Sequence, residues 1–505
     1  MPKRRAAKNG EASAPGNAQS VSASTLKAIS SKASIFGALD DAPMTPALYL
    51  YWSLASGGTF LDGFSVVSLG VAVPLLKRDL AITPTMVGLI GSALVLGAVL
   101  GAAFGGVAAD RIGRKRAFIV DMGILAVGSA LCAVAPSSAL IVAGQLLIGI
   151  GIGIDFPTSS SYVSEIMPKA ARSRMTVATI ALQSVGMIAA ALAGIAVLKV
   201  HPLIADWRIL LGAGGILAVL YMGARLHLPE SPRWLAEKGQ IAEAAVVLSR
   251  IAGVSVAPVS AETSSGAGER PAATASRKSI ALATLFEPRY RTRTLLVSLP
   301  WLMMDVATYG VGLFTPVILG AMHFASPGVG TIASVFADAE GSGLVDLFLL
   351  IGFIAGMWAV PRFGRIPMQV AGFAGMAIGM LLLVMAVLAN DGAQMHLGLV
   401  IGGFVIFNFA MNAGPNATTF TLAPILFPTA IRASASGFAA AAAKVGATFG
   451  TFVVPQLQAA WGLVGVLALM ALVSVGGLVA TAAFAHEVRK EDEIEEALED
   501  DSGGK

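Results

Sequence analysis

Residues 300–320 read PWLMMDVATYGVGLFTPVILG, a run that is long and apolar enough to cross a lipid bilayer, yet Asp305 lies within it. On a helix, Trp301, Asp305 and Tyr309 share one face because they are spaced four residues apart. A carboxylate at membrane depth is costly to insert, so it should face a cavity or a partner and not the lipid. The stretch therefore predicts a membrane protein with a polar site enclosed by its helices.

The composition is that of a multi-pass membrane protein. Of the 505 residues, 56% are hydrophobic and only 13% are charged, and the mean hydropathy is +0.77. Cys132 is the only cysteine, which excludes an intramolecular disulfide and a thiolate metal cluster. The histidines have no metal-ligand spacing, and the sequence contains no cofactor motif and no nucleophile–base pair. We therefore predict no metal, cofactor, enzymatic activity or nucleic-acid partner.

Apolar segments of about 20 residues, each long enough to span a bilayer, recur along the chain. They lie near 48–76, 86–109, 117–135, 140–161, 175–198, 207–228, 294–319, 344–360, 368–388, 396–419, 435–455 and 462–485. The pattern predicts an all-α membrane protein with twelve transmembrane helices in two six-helix halves.

The polar segments between these spans predict the domain organisation. We expect a disordered tail (1–45), an N-terminal six-helix bundle (46–228), a central loop (229–293), a C-terminal six-helix bundle (294–485) and an acidic tail (486–505). Within the central loop, residues 254–279 are rich in Ala, Ser and Gly and are expected to be disordered. Residues 231–251 are expected to form one short amphipathic helix.

Positive charges predict the orientation in the membrane. Most Lys and Arg residues of the short loops lie on one side, and the opposite side holds only Lys77, Arg78, Lys199 and Arg208. Both tails and the central loop lie on the basic side, which the positive-inside rule assigns to the cytoplasm. We therefore expect a multi-pass protein of the plasma or inner membrane with both termini in the cytoplasm.

The two halves contain a weak internal repeat. DRIGR at 110–114 follows the second span, and PRFGR at 361–365 follows the eighth. A Pro-x-x-x-Arg pattern ends at Arg172 after the fourth span and at Arg432 after the tenth. Asp62 in the first span corresponds to Asp305 in the seventh. Two related halves around a central site are typical of transporters.

The loop after the second span combines small residues with charges, namely Gly106, Asp110, Arg111, Gly113 and Arg114. Glycine permits a tight turn and close helix approach, and Asp110 can pair with a basic residue. This spacing resembles the signature loop of the major facilitator superfamily. Together with Arg172 and Arg432, these residues are predicted to form a cytoplasmic gate, although a simple positive-inside anchor is the alternative. Pro361 replaces the acid in the second copy, so we do not expect a symmetrical gate.

A narrower resemblance comes from PESPRWL at 229–235, which is similar to the sugar-porter branch of that superfamily. The paired glutamines of sugar porters in span seven are absent, and so is their Pro-Glu-Thr-Lys-Gly stretch after span twelve. The motif alone therefore does not predict a sugar as the substrate.

Three stretches resemble the phosphate:proton symporter family: GIDFP at 153–157, WLMMDVATYG at 301–310 and GPNATTF at 414–420. The resemblance implies a substrate site made of Gln183, Trp301, Asp305, Tyr309, Asn416 and Lys444, with proton coupling through Asp62, Asp155 and Asp305. The chain departs from that family at Phe156, where a tyrosine is expected, and at Ser65, where a second acid is expected. An organic carboxylate therefore stays an alternative to phosphate.

The chemistry of these residues points the same way without the family. Lys444 lies in an apolar helix and supplies a point charge for an anion, whereas Gln183, Tyr309 and Asn416 offer neutral hydrogen-bond donors. The alternatives are a permanent ion pair between Lys444 and Asp305 and plain helix–helix hydrogen bonds for the amides.

Other polar residues lie at similar depth. Asn408, Asn412 and Asn416 are spaced four apart and predict a polar stripe, which Pro415 is expected to interrupt. Asp346 also lies within an apolar segment, but it is close to a predicted loop, so we expect a position near the interface.

Taken together, the sequence predicts a monomeric, proton-coupled symporter that imports a small anion across the bilayer by alternating access. Phosphate is the first candidate. A carrier of an organic acid or a sugar-like metabolite is the nearest alternative, and a solute-sensing membrane receptor without transport is an alternative of a different class.

Overall fold

The computed structural model describes residues 32–252, 284–312, 314–315, 318–319, 331–389, 396–427 and 429–502, and the regular elements in these ranges are helices. The stretch 254–279, predicted to be disordered, lies outside the described residues.

The first part of the chain forms α1 (Lys32–Asp40), α2 (Pro46–Ala55), α3 (Gly57–Asp79), α4 (Pro84–Ile112), α5 (Arg114–Ala133), α6 (Ser138–Ile166), α7 (Lys169–Val200) and α8 (Trp207–Arg225). The rest forms α9 (Pro232–Glu237), α10 (Ile241–Ala252), α11 (Arg291–Gly312), α12 (Thr331–Phe363), α13 (Arg365–Leu388), α14 (Leu397–Ala413), α15 (Pro415–Leu426) and α16 (Thr429–Ser502).

Within the described residues, 11 helical stretches are long and apolar enough to cross a membrane. The last of them, Gly437–Arg489, is 53 residues long. Its backbone is not helical at Gly462, where φ is 69° and ψ is −171°. This kink divides α16 into two helices, which correspond to the eleventh and twelfth predicted spans.

Two of the spans are broken inside the membrane. The predicted interruption at Pro415 is confirmed, because α14 ends at Ala413 and Gly414 adopts φ −110° and ψ −102° before α15 begins. The first span was predicted as one helix, but it is divided at Ser56 into α2 and α3. Such breaks leave backbone carbonyls without partners inside the helix, so other groups must bind them.

The segments predicted to be cytoplasmic are more ordered than expected. Residues 32–45 were assigned to a disordered tail, yet α1 buries Ile35 and Leu39 in a cluster with Leu235 and Leu248. Ile35 and Leu39 are four residues apart and therefore share one apolar face of the helix. The single helix expected at 231–251 is instead two helices, α9 and α10, which are separated near Gly239 with a φ of 81°.

The internal repeat is visible in the backbone. Gly113 follows α4 with a φ of 95°, and Gly364 follows α12 with a φ of 86°. Both residues adopt the left-handed region that glycine tolerates best. The corresponding loops of the two halves therefore turn in the same way, although Pro361 replaces the acid in the second.

Close helix packing positions the central polar residues. In the first half α3 packs against α7, and in the second α11 packs against α16; across the halves, α4 contacts α16 and α7 contacts α12. A methyl group at Gly63 would overlap the carbonyl oxygen of Gln183, and one at Gly446 would overlap that of Leu302. Glycine at these two positions lets the paired helices approach closely.

Replacing Gly446 by alanine should therefore destabilise the protein. We expect Gly446→Ala to lower the free energy of unfolding by about 1–3 kcal/mol, the usual cost of overpacking. Gly437 lies on the same helix with nothing near its missing side chain, so Gly437→Ala should be neutral or stabilising by about 0.5–1 kcal/mol. Thermal unfolding of the purified variants in detergent measures both. Equal behaviour of the two variants would contradict this account.

Candidate functional site

Two carboxylates, a partly buried one in the first half and a buried one in the second, each bind a polar partner on a neighbouring helix. In the first half, the Gln183 amide on α7 donates to Oδ2 of Asp62 on α3 at 2.8 Å. In the second half, Nζ of Lys444 on α16 lies 3.3 Å from Oδ2 of Asp305 on α11. Asp62 and Asp305 are the residues that the internal repeat pairs, so the two halves place their acids in equivalent helices.

Lys444 has a second partner. Its ammonium donates to the hydroxyl of Tyr309 at 2.8 Å and lies 4.3 Å from the centre of the tyrosine ring. Asp305 is 2% exposed. The ion pair considered from the sequence is thus present, and the lysine charge is shared between a carboxylate and a phenol.

A cavity lies beside these pairs. Its walls come from both halves: Val66, Gln183, Ser184, Met187, Thr308, Tyr309, Gly312, Asp346, Leu349, Phe353, Asn408, Met411, Asn412 and Asn416. Of the predicted substrate site, Gln183, Tyr309 and Asn416 line this cavity directly. Lys444 and Asp305 are connected to it through Tyr309.

The asparagine stripe forms one continuous polar edge of the cavity. The Asn416 amide donates to Oδ1 of Asn412 at 2.8 Å, and the Asn412 amide donates to the Asn408 carbonyl at 3.0 Å. The Asn408 amide in turn donates to the carbonyl of Val345 on α12 at 3.4 Å. These bonds cross the break at Pro415 and hold α14, α15 and α12 together.

Trp301 belongs to an aromatic cluster and is not among the residues that line the cavity. Its ring lies 6.2 Å from that of Phe420 in an edge-to-face arrangement. Phe420 also contacts Phe156 of the other half, with ring centres 6.5 Å apart. The phenylalanine at position 156 thus makes an apolar contact between the halves.

Asp155 lies in a separate buried cluster. Its Oδ1 lies 2.7 Å from Nη2 of Arg225, and Oδ1 of Asp121 lies 3.3 Å from Nη1 of the same arginine. Arg225 also donates to the carbonyls of Leu54 at 2.9 Å and Ala55 at 2.8 Å. These carbonyls end α2, so the guanidinium binds the backbone groups that the break at Ser56 leaves free.

Asp121, Arg225 and Asp346 are polar residues that the sequence analysis did not place in a site. Arg225 lies at the end of a predicted span, where a basic residue is common, and so gave no signal. Asp121 was a detectable signal, because it lies within an apolar segment. Asp346 is 2% exposed within α12 and lines the cavity, a place that the sequence analysis did not predict for it.

Three arginines of the predicted gate, Arg111, Arg114 and Arg172, lie in the described part of the chain. Arg114 forms an ion pair with Glu165 at 2.8 Å, and Glu230 accepts from the backbone amides of Arg114 at 3.0 Å and Lys115 at 3.3 Å. An acid at the N-terminus of α5 is favourable for the helix dipole. Arg172 pairs with Asp40 of α1. Arg111 is exposed.

Three members of the predicted gate lie outside this description. The surroundings of Gly106 and the side chains of Asp110 and Arg432 are not among the described parts of the chain. The role of these residues as a gate stays a prediction.

Comparison with known proteins assigns the family. Residues 50–498 match the family model "Sugar (and other) transporter". The chain belongs to this family. It is 30% identical over 440 residues to the putative metabolite transport protein YaaU of Escherichia coli K12. This alignment covers 87% of this chain and 92% of YaaU. It is 26% identical over 445 residues to the inorganic phosphate transporter 1-4 of Arabidopsis thaliana. That alignment covers 79% of this chain and 81% of the plant protein.

Among solved structures, the chain is similar to the xylose transporter XylE of Escherichia coli in a partially occluded, inward-open conformation. The TM-score is 0.67 at 20% identity, and the alignment covers 87% of this chain and 98% of XylE. This similarity shows the fold of the major facilitator superfamily. The protein is therefore a multi-pass membrane transporter of the sugar-porter-like branch and not an enzyme, as the sequence predicted.

The arginine cluster should contribute strongly to stability. Arg225→Met leaves Asp121 and Asp155 buried without a cation, so we expect a loss of about 3–5 kcal/mol in the free energy of unfolding. Arg250 is exposed on α10, and Arg250→Met should change it by less than about 0.5 kcal/mol. Thermal unfolding in detergent tests both.

A rescue experiment separates charge from shape at this cluster. If the uncompensated carboxylates cause the loss, adding Asp121→Asn and Asp155→Asn to Arg225→Met should restore part of the lost stability. A triple variant no more stable than Arg225→Met would contradict this explanation.

Proposed function

We propose that this protein is a proton-coupled secondary carrier that moves a small organic metabolite, sugar-like or carboxylated, by alternating access. The two halves, 46–228 and 294–485, would rock around the central cavity. One observation carries the proposal: the cavity has walls from both halves that combine apolar side chains with several neutral hydrogen-bonding groups, while Lys444 is bound by Asp305 and Tyr309. Such a lining suits a solute with several polar groups.

Inorganic phosphate is the second candidate. The Lys444 ammonium is separated from the cavity by the Tyr309 hydroxyl, to which it donates. If the ammonium were released from Asp305, it would be free to bind an anion in the cavity. The relative that is an inorganic phosphate transporter supports this reading at 26% identity. Inorganic phosphate is small, however, and would leave the asparagine side chains along the cavity with few hydrogen-bond partners. We therefore place phosphate second.

For proton coupling we propose Asp62 and Asp305. Asp305 is buried and Asp62 is partly buried, and each bonds to a residue at or next to the cavity wall. Protonation of Asp62 removes a charge that would otherwise have to move through the membrane interior. Protonation of Asp305 would also weaken its hold on Lys444 and free the ammonium for the solute. Asp155 is bound by Arg225 at a distance from the cavity lining, so we propose a supporting role in the first half.

The cytoplasmic loops would supply the gate. We propose that Arg114, Glu165 and Glu230 hold the cytoplasmic ends of α4, α5 and α6 in one conformation, together with Arg172. The proposed setting is a monomer in the plasma or inner membrane with both termini in the cytoplasm, as the distribution of positive charges favours.

Uptake into proteoliposomes tests the proposed activity. With an inward proton gradient, we expect accumulation of glucose, xylose or succinate, and no accumulation when the gradient is abolished. Accumulation of phosphate alone would move the second candidate to first place. Failure of the folded, reconstituted protein to transport or exchange any of these solutes would contradict the proposal.

Variants of the central pair separate binding from coupling. Lys444→Ala should reduce uptake at least about tenfold, the effect of losing one charge-assisted hydrogen bond. Asp305→Asn should abolish gradient-driven accumulation but retain exchange of solute across the membrane, because exchange needs no net proton movement. Lys77 is exposed, and Lys77→Ala should leave both activities unchanged. Gradient-driven accumulation by Asp305→Asn would contradict its assignment.

A further inference from the structure

Asp346 is a buried carboxylate that the mechanism above does not use. It lies in the middle of α12, is 2% exposed and lines the central cavity. The Ser342 hydroxyl lies near this carboxyl group, one turn earlier on α12, but the buried Oδ2 atom makes no hydrogen bond of ordinary geometry within the described part of the chain. A buried acceptor without a partner is costly to the folded protein, so its retention calls for an explanation.

Asp346 also differs in charge from its neighbours in the cavity wall. Among the described lining residues it is the only one with a formal charge, since the others are apolar or are neutral donors and acceptors. Lys444 and Asp305 are bound to each other behind Tyr309. A solute in the cavity therefore directly meets one carboxyl group and a set of neutral hydrogen-bonding groups.

The surroundings of Asp346 orient it in the wall. Leu349 and Phe353 lie three and seven residues further along α12 and line the same cavity, so this face of the helix is the one turned inward. The Asn408 amide donates to the carbonyl of Val345 at 3.4 Å, which fixes the backbone next to Asp346. The carboxylate thus lies on a positioned backbone, next to an apolar wall formed by Leu349 and Phe353.

We propose that Asp346 contacts the transported solute and accepts hydrogen bonds from its donor groups, either hydroxyls or an ammonium. The inference rests on the proposed carrier function and narrows its substrate. Donor groups supply the partner that Oδ2 lacks, and a carboxylate accepts stronger hydrogen bonds than a neutral oxygen. In its ionised form the carboxylate also repels anions, so the cavity would favour solutes that present donors at this end over phosphate or simple carboxylates.

A structural role for Asp346 makes a different prediction. A carboxylate that only holds two helices together would affect every solute equally when it is changed, because it would act on the shape of the cavity. A carboxylate that contacts the solute should affect donors and anions in opposite directions. The sign of the effect on different probes therefore distinguishes the two roles.

Ligand-induced thermal stabilisation of the purified full-length protein in detergent provides the test. The probes are glucose and xylose for hydroxyls, ethanolamine for an ammonium, and succinate and phosphate for anions. We expect at least one donor probe to stabilise the wild type. Asp346→Asn should weaken binding of that probe about tenfold and leave anion binding equal or stronger. The matched control is Glu340→Gln, on the exposed side of the same helix, which should change nothing.

The outcomes are distinct. Stabilisation by glucose or xylose would identify hydroxyls as the donors, and stabilisation by ethanolamine would identify an ammonium. The proposal is overturned if Asp346→Asn binds the donor probes as the wild type does, or if it weakens every probe equally. It is also overturned if only anions, or no probe, stabilise the wild type. Uptake by wild-type proteoliposomes is judged separately, so the carrier function can stand when the role of Asp346 fails.

Discussion

The cost of a charge inside a membrane is the constraint on which the rest of this structure depends. Each half solves this problem at the same place, with an acid on its first membrane span and a polar partner on its fifth. The pairs are Asp62 with Gln183 and Asp305 with Lys444. Both pairs need close contact between those helices, which glycines such as Gly446 permit. The polar site and the packing of the bundle are therefore one feature, because neither pair could form if the helices were further apart.

The same constraint produces a second cluster with a different consequence. Arg225 binds two carboxylates and also two carbonyls at the end of α2. One guanidinium thus satisfies both the buried acids and the backbone broken at Ser56, which fits the planar donor geometry of arginine. This cluster is closed on itself, whereas the Lys444 pair is open to the cavity through Tyr309. Burial alone does not separate a structural charge from a functional one; access to the cavity does.

The sequence was sufficient for the fold, the spans and much of the site, because apolar length, loop charge and deep acids such as Asp305 are local signals. It was insufficient for the pair of Asp121 and Arg225, because Arg225 lies at the end of a predicted span, where a basic residue gives no signal of a buried partner. Asp346 was not predicted at the cavity because its depth depends on where α12 begins, which hydropathy does not define well. The narrower phosphate prediction rested on motifs around spans four, seven, ten and eleven, and the family match supports the broader carrier function.

The two halves share a backbone pattern but differ in the side chains that they contribute to the site. The matching turns at Gly113 and Gly364 indicate the shared backbone. One half contributes a neutral amide at Gln183, and the other contributes a cation at Lys444. Asp62 beside Gln183 holds no cation that a proton could release. In the proposed mechanism, a lysine that Asp305 can hold or release would link the charge of the second half to proton binding, so this form of coupling would arise from the difference between the halves.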